Sequence, residues 1–133
     1  MAERPKILVT GLGAICAAGQ DPEAIWKSVG SGQSAVTPIQ QWDASGWPTT
    51  MAGEISGMDP RTLVDDRKLH KLIRRTDLLG LYAAGQAIED AGLLGYRETL
   101  DAKTAATFND RTGVFVGSGG GLYQNQYEFF PLL

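Results

Sequence analysis

The chain has 133 residues, 43% of them hydrophobic and 20% charged, which suits one packed domain and excludes intrinsic disorder. Its 17 glycines show no three-residue period, so a collagen-like chain is excluded. Twelve Lys and Arg against 15 Asp and Glu give a net charge of −3, which is no footprint for nucleic acid.

In chain order, Ile7-Leu8-Val9 is a short apolar run followed by Thr10-Gly11-Leu12-Gly13, the pattern of a buried strand ending in a glycine turn. Arg4 and Lys6 before this run imitate a signal peptide. Thr10, Gly11 and Gly13 break the apolar stretch, however, and Ile15 is too large for a cleavage position. The expected location is therefore the cytoplasm, and no apolar span reaches the roughly 18 residues that a membrane helix needs.

Asp21-Pro22-Glu23 predicts a helix start, with Asp21 as cap, Pro22 at the first helical position and Glu23 at the positive end of the dipole. Gly30 and Gly32 should stop it. Residues 33–65 hold no long periodic segment, so short strands or a functional loop are expected there. Over 66–91, Leu69, Leu72, Ile73, Thr76, Ala83, Ala84, Ala87, Ile88 and Ala91 recur every three or four residues. This predicts one long helix with a core stripe, capped by Gly92. The alanines of its later half suggest that something large packs close against it.

A polar stretch follows at 97–111. Thr112-Gly113-Val114-Phe115-Val116-Gly117 then reads as a second buried strand entering Ser118-Gly119-Gly120-Gly121. Strand–helix–helix–strand order predicts an α/β fold with a parallel or mixed sheet. The apolar end Phe129-Phe130-Pro131-Leu132-Leu133 suggests that the natural protein continues past it.

Several chemical motifs fail on inspection. A dinucleotide fingerprint after Gly11 and Gly13 would need Gly or Ala where Cys16 stands, and the short-chain reductase variant would need glycines where Ile15 and Ala17 stand. Ser118 has glycine on both immediate sides, whereas a nucleophile elbow needs glycine two residues away on each side. Cys16 is the sole cysteine, so a disulfide or cysteine-built zinc site within the chain is excluded. With no basic residue beside it, it reads as buried filler. His70, the sole histidine, lies among cations and reads as solvated or helix-packing.

Residues 67–75 concentrate five of the 12 basic residues, Arg67, Lys68, Lys71, Arg74 and Arg75. On a helical wheel these cluster on the face opposite Leu69, Leu72, Ile73 and Thr76. An anionic partner is one explanation and a solvated face is the other. Nucleic acid is disfavoured, because no aromatic residue interleaves the charges.

Taken together, Ile7-Leu8-Val9-Thr10-Gly11-Leu12-Gly13, Trp26-Lys27, Gly32-Gln33-Ser34, Arg74-Arg75-Thr76-Asp77, Ala87-Ile88-Glu89-Asp90-Ala91-Gly92-Leu93 and Gly113-Val114-Phe115-Val116-Gly117-Ser118-Gly119-Gly120-Gly121 resemble the amino-terminal part of elongating type I/II β-ketoacyl-[acyl-carrier-protein] synthases. All of residues 1–133 would belong to that segment. The resemblance implies the thiolase-like fold, layered α/β/α/β/α, of which this is only the amino-terminal part, and a homodimer when the protein is full length. It implies decarboxylative Claisen condensation of acyl thioesters with malonyl carrier protein, in fatty-acid or polyketide synthesis, without a cofactor or metal.

The family's nucleophilic cysteine and two histidines lie beyond Leu133, so no catalytic residue is expected here and Cys16 is not the nucleophile. The resemblance places carrier-protein docking on Arg67, Lys68, Lys71, Arg74 and Arg75. It places an acyl-pocket loop on Gly117, Ser118, Gly119, Gly120 and Gly121. Gly120 stands where type II relatives often carry a gating isoleucine, and Phe129 and Phe130 would line the pocket, the dimer interface or the core. A non-catalytic chain-length-factor-like relative and an unrelated small anion-binding module are the alternatives.

Overall fold

The computed structural model describes residues 6–57, 59 and 62–118. Its elements are helix α1, Pro22–Gly30; strands β1, Thr37–Pro38, and β2, Met51–Ala52; a 3-10 turn, Leu69–Lys71; and helices α2, Arg75–Asp90, α3, Leu93–Glu98, and α4, Ala102–Asp110.

Helix α1 starts as its sequence dictates. The Asp21 carboxylate accepts the Ala24 N–H at 2.7 Å, Pro22 occupies the first turn, where its missing N–H costs nothing, and Glu23 lies at the positive end of the helix. Ser31 caps the other end and Gly32 turns the chain away at φ +68°, a left-handed angle that suits glycine.

The 33–65 region does carry short strands. Thr37 pairs with Ala52 and Pro38 with Met51, antiparallel, and the Ile39 N–H donates to the Thr50 carbonyl at 2.9 Å just beyond. The Glu54 carboxylate accepts the N–H groups of Gln40 and Gln41 at 2.8 and 3.3 Å, closing the base of the loop in which Trp42 meets Trp47 edge-on at 5.4 Å.

The expected single helix over 66–91 is two pieces. The Asp66 carboxylate accepts the Lys68 N–H at 2.9 Å and opens only a turn. At Arg74 the backbone is extended (φ −86°, ψ 168°) and α2 begins afterwards. Charge explains the break. One helix from residue 66 would put five cations in its first turns, repelling each other and facing the positive end of the dipole. Starting at Arg75 puts Asp77 in the first turn instead, where its carboxylate accepts the Arg74 N–H at 2.9 Å.

The core stripe is corrected accordingly. Leu72 is 79% exposed, Ile88 is also exposed, and Leu69 and Ile73 are half-buried. The stripe that packs is Ala83, Ala87 and Ala91, and it meets bare backbone rather than anything large. A Cβ on Gly11 would lie within 3.0 Å of Ala87 and Ala91 backbone atoms, and one on Gly13 within 3.0 Å of Ala83 and Ala87 backbone atoms. Small residues on both sides allow this approach.

Helix α2 ends as expected, with Ala91 as cap and Gly92 at φ +60°. The 97–111 stretch is not merely polar, however. Leu93–Glu98 and Ala102–Asp110 are helices, joined by a Tyr96–Phe108 edge contact at 6.0 Å and an Arg97–Asn109 hydrogen bond of 2.9 Å.

The two expected core strands are not formed among the described residues. Ile7-Leu8-Val9 and Val114-Phe115-Val116 carry no strand assignment and are 76–98% exposed. A strand exists by pairing with a neighbour, and no described segment pairs with either run. Buried hydrophobic side chains among the described residues are Ala44 and Leu78. The described residues therefore form helices and a two-stranded ribbon rather than a layered sheet.

Candidate functional site

The glycine turn after Val9 is committed to α2. The Leu12 N–H donates to the Asp90 carboxylate at 2.9 Å and the Ala14 N–H to the Gln86 amide oxygen at 3.0 Å, while the Gln86 amide nitrogen donates to the Gln20 carbonyl at 2.7 Å. Two N–H groups of the turn are thus engaged, one of them by a carboxylate that would repel a pyrophosphate. The adjoining open cleft of about 410 Å³ is lined by Asp21, Glu23, Glu89 and Asp90 among others, which is hostile to an anion. Gln86 and Asp90 were not singled out from the sequence. Their i,i+4 spacing beside the alanine stripe was the available signal.

Cys16 is exposed, not buried filler. It sits in a tight reversal with Gly19, N to O at 2.9 Å and O to N at 3.2 Å, and a turn this short leaves its side chain outside.

The cationic segment is built in three steps. Asp66 starts the turn. The His70 Nε2 then reaches the Val64 carbonyl at 2.6 Å; since a carbonyl only accepts, this nitrogen carries the hydrogen. Finally Leu72 and Ile73 N–H groups close on the Leu69 carbonyl at 2.9 and 3.0 Å. The helical-wheel arrangement fails because 67–74 is not α-helix. The five cations nonetheless stay on one short segment. Arg67, Lys68, Lys71 and Arg74 are exposed, whereas Arg75 is half-buried and donates from its guanidinium to the Ile55 carbonyl at 2.7 Å.

Of the expected acyl-pocket loop, Gly117 and Ser118 are exposed, and a side chain at Gly117 would meet open space. Gly119, Gly120 and Gly121, like Phe129 and Phe130, lie outside the described residues.

Two carboxyls are held below the usual range by hydrogen bonds. For Asp101, the Thr104 hydroxyl contributes most, ahead of the Thr104 N–H; for Asp43, it is the Ser45 N–H. Asp101 caps α4, and the Asp43 carboxylate accepts the Ser45 N–H at 3.0 Å in a local turn. Among the described residues, no helix is long and apolar enough to cross a membrane.

The family description "Beta-ketoacyl synthase, N-terminal domain" matches residues 4–130. The chain belongs to the β-ketoacyl synthase family. It is 35% identical to the 3-oxoacyl-[acyl-carrier-protein] synthase 2 of Coxiella burnetii, over 98% of this chain and 30% of that protein. It is 36% identical to the chloroplastic 3-oxoacyl-[acyl-carrier-protein] synthase I of Hordeum vulgare, over 90% of this chain and 25% of that protein. The 3-oxoacyl-[acyl-carrier-protein] synthase 2 of Vibrio cholerae is 34% identical over 88% of this chain and 26% of its own length. The chain thus spans a quarter to a third of the relatives it matches.

Proposed function

We propose that these residues are the amino-terminal portion of a β-ketoacyl-[acyl-carrier-protein] synthase that condenses acyl thioesters with malonyl carrier protein in fatty-acid or polyketide synthesis. The observation that carries this reading is the family match over 4–130, together with relatives named as 3-oxoacyl-[acyl-carrier-protein] synthases. In this reading the covalent step, acyl transfer to a cysteine followed by carbanion attack, is performed by groups outside these 133 residues. The described residues contribute scaffold and partner surface.

The thiolase-like α/β/α/β/α layering, the homodimer and a cytoplasmic location belong to the same reading. The exposed runs Ile7-Leu8-Val9 and Val114-Phe115-Val116 support the layering, because their composition is that of buried parallel strands. The acyl carrier protein is acidic in this reading and meets the cationic segment around Arg67, Lys68 and Lys71. Such docking is charge-steered and weakens with salt. The loop of Gly117, Ser118, Gly119, Gly120 and Gly121 lies at the acyl pocket, and Gly120 leaves room where a gating isoleucine would close it.

The test is to express the full reading frame that contains this segment and supply acyl and malonyl carrier protein. The reading expects carbon dioxide release coupled to 3-oxoacyl product. A full-length protein that carries the downstream cysteine and histidines and yields no 3-oxoacyl product with any acyl chain length contradicts it.

A further inference from the structure

We infer that Arg75 is a positioning residue for the carrier-protein surface rather than one of its contacts, an inference that rests on the docking reading above. Sequence alone groups it with four other cations. The structure separates it from Arg67, Lys68 and Lys71, because its side chain is half-buried and its guanidinium donates to the Ile55 carbonyl at 2.7 Å, twenty residues earlier in the chain. Ile55 follows β2 by three residues, so the bond ties the end of the β1–β2 ribbon to the first turn of α2.

The chain between these anchors carries Arg67, Lys68 and Lys71, all exposed. Inside it, Asp66 and His70 make local bonds that shape the turn. The Arg75–Ile55 bond closes its base. Closing a loop removes conformations that would otherwise have to be lost on docking. The outer cations are thus held ready for an acidic partner by a cation that is itself turned inward.

The experiment uses the full-length enzyme in three forms: Arg75→Met, Arg75→Lys and the double variant Lys68→Glu with Lys71→Glu. KM for carrier-bound substrate, kcat, and amide exchange over 53–57 and 62–73 are measured across a salt series. Arg75→Met raises KM about fivefold, the scale of one lost hydrogen bond of ordinary net strength. The effect falls on KM rather than kcat, and amide exchange in the segment speeds up. The salt dependence of KM keeps its slope, because no partner contact is removed, and Arg75→Lys restores much of the loss.

The double Glu variant raises KM and flattens the salt dependence. If Arg75→Met flattens the salt dependence as the double variant does, Arg75 touches the partner and the inference is wrong while docking stands. If Arg75→Met lowers kcat and KM-independent stability together without rescue by Lys, its role is structural only and the inference is wrong. If the double variant leaves KM and its salt dependence unchanged, the docking reading fails, and the inference with it.

Discussion

At the scale of single residues, the account rests on small groups at close quarters. Gly13 faces Ala83 and Ala87 across a gap that leaves no space for a Cβ. Gly13→Ala should therefore destabilise the full-length protein by about 1–3 kcal/mol, the range for overpacking; an unchanged melting temperature would show that the two backbones are not in contact. Asp101 supplies a pH-dependent cap. Its folded-state pKa is lowered by the Thr104 hydroxyl and N–H, so its contribution is fully present above the unfolded carboxylate value, about 3.9, and is lost as pH falls through the lower folded value. Helicity of α4 should thus decline in that acid window in the native protein and show no such step in Asp101→Asn, as read by amide exchange over 102–110. Asp21-Pro22 and Gly92 were legible because capping and left-handed turns are local chemistry. Leu72 was misread because periodicity reports a face without reporting whether the helix exists.

At the scale of elements, α2 is the clearest case of competing rules. Apolar spacing favours one helix from residue 66, whereas charge favours a start at Arg75, and charge prevails because repulsion and dipole act on the same first turns. Replacing Arg67 with Glu puts a carboxylate in the first turn of the longer helix and weakens both penalties. The extended kink at Arg74 should then become helical more readily, with helix content rising in the variant by circular dichroism; unchanged content would mean that something other than charge sets the break. For α1, Asp21→Ala removes the acceptor of the Ala24 N–H and should cost about 1 kcal/mol, read as a lower denaturation midpoint of the full-length protein. Helices α3 and α4 escaped the sequence reading because they are short and mostly exposed, so they lack a strong apolar stripe. The cue for α4 was Asp101 three residues before Thr104, now seen as a cap with bonds of 3.0 and 3.1 Å to the Lys103 and Thr104 N–H groups.

At the scale of the whole molecule, the decisive fact is surface. Among the described residues the buried hydrophobic side chains are Ala44 and Leu78, while the apolar runs at 7–9 and 114–116 are 76–98% exposed. The apolar runs at 7–9 and 114–116 are legible as strands in the sequence and unpaired among the described residues for one reason: composition declares what a segment is for, and pairing requires partners that the described residues do not provide. The isolated 133-residue chain should therefore self-associate or melt without a sharp transition, and a clean monomer with a two-state melt would show that it closes its own core. The family was legible because motifs in order along the chain constrain each other, although each is weak alone. The cationic segment was legible as charge, and the inward turn of Arg75 was not, because its partner is a backbone carbonyl that no sequence pattern marks.

The central proposal is that these residues are part of a larger protein of the β-ketoacyl synthase family, in which the two apolar runs pair within a buried sheet. Amide exchange of Leu8, Val9, Phe115 and Val116 in the full-length protein tests it most directly. The account predicts strong protection there, as in paired strands of a buried sheet. Exchange at the rate of an unpaired, solvated chain would contradict it.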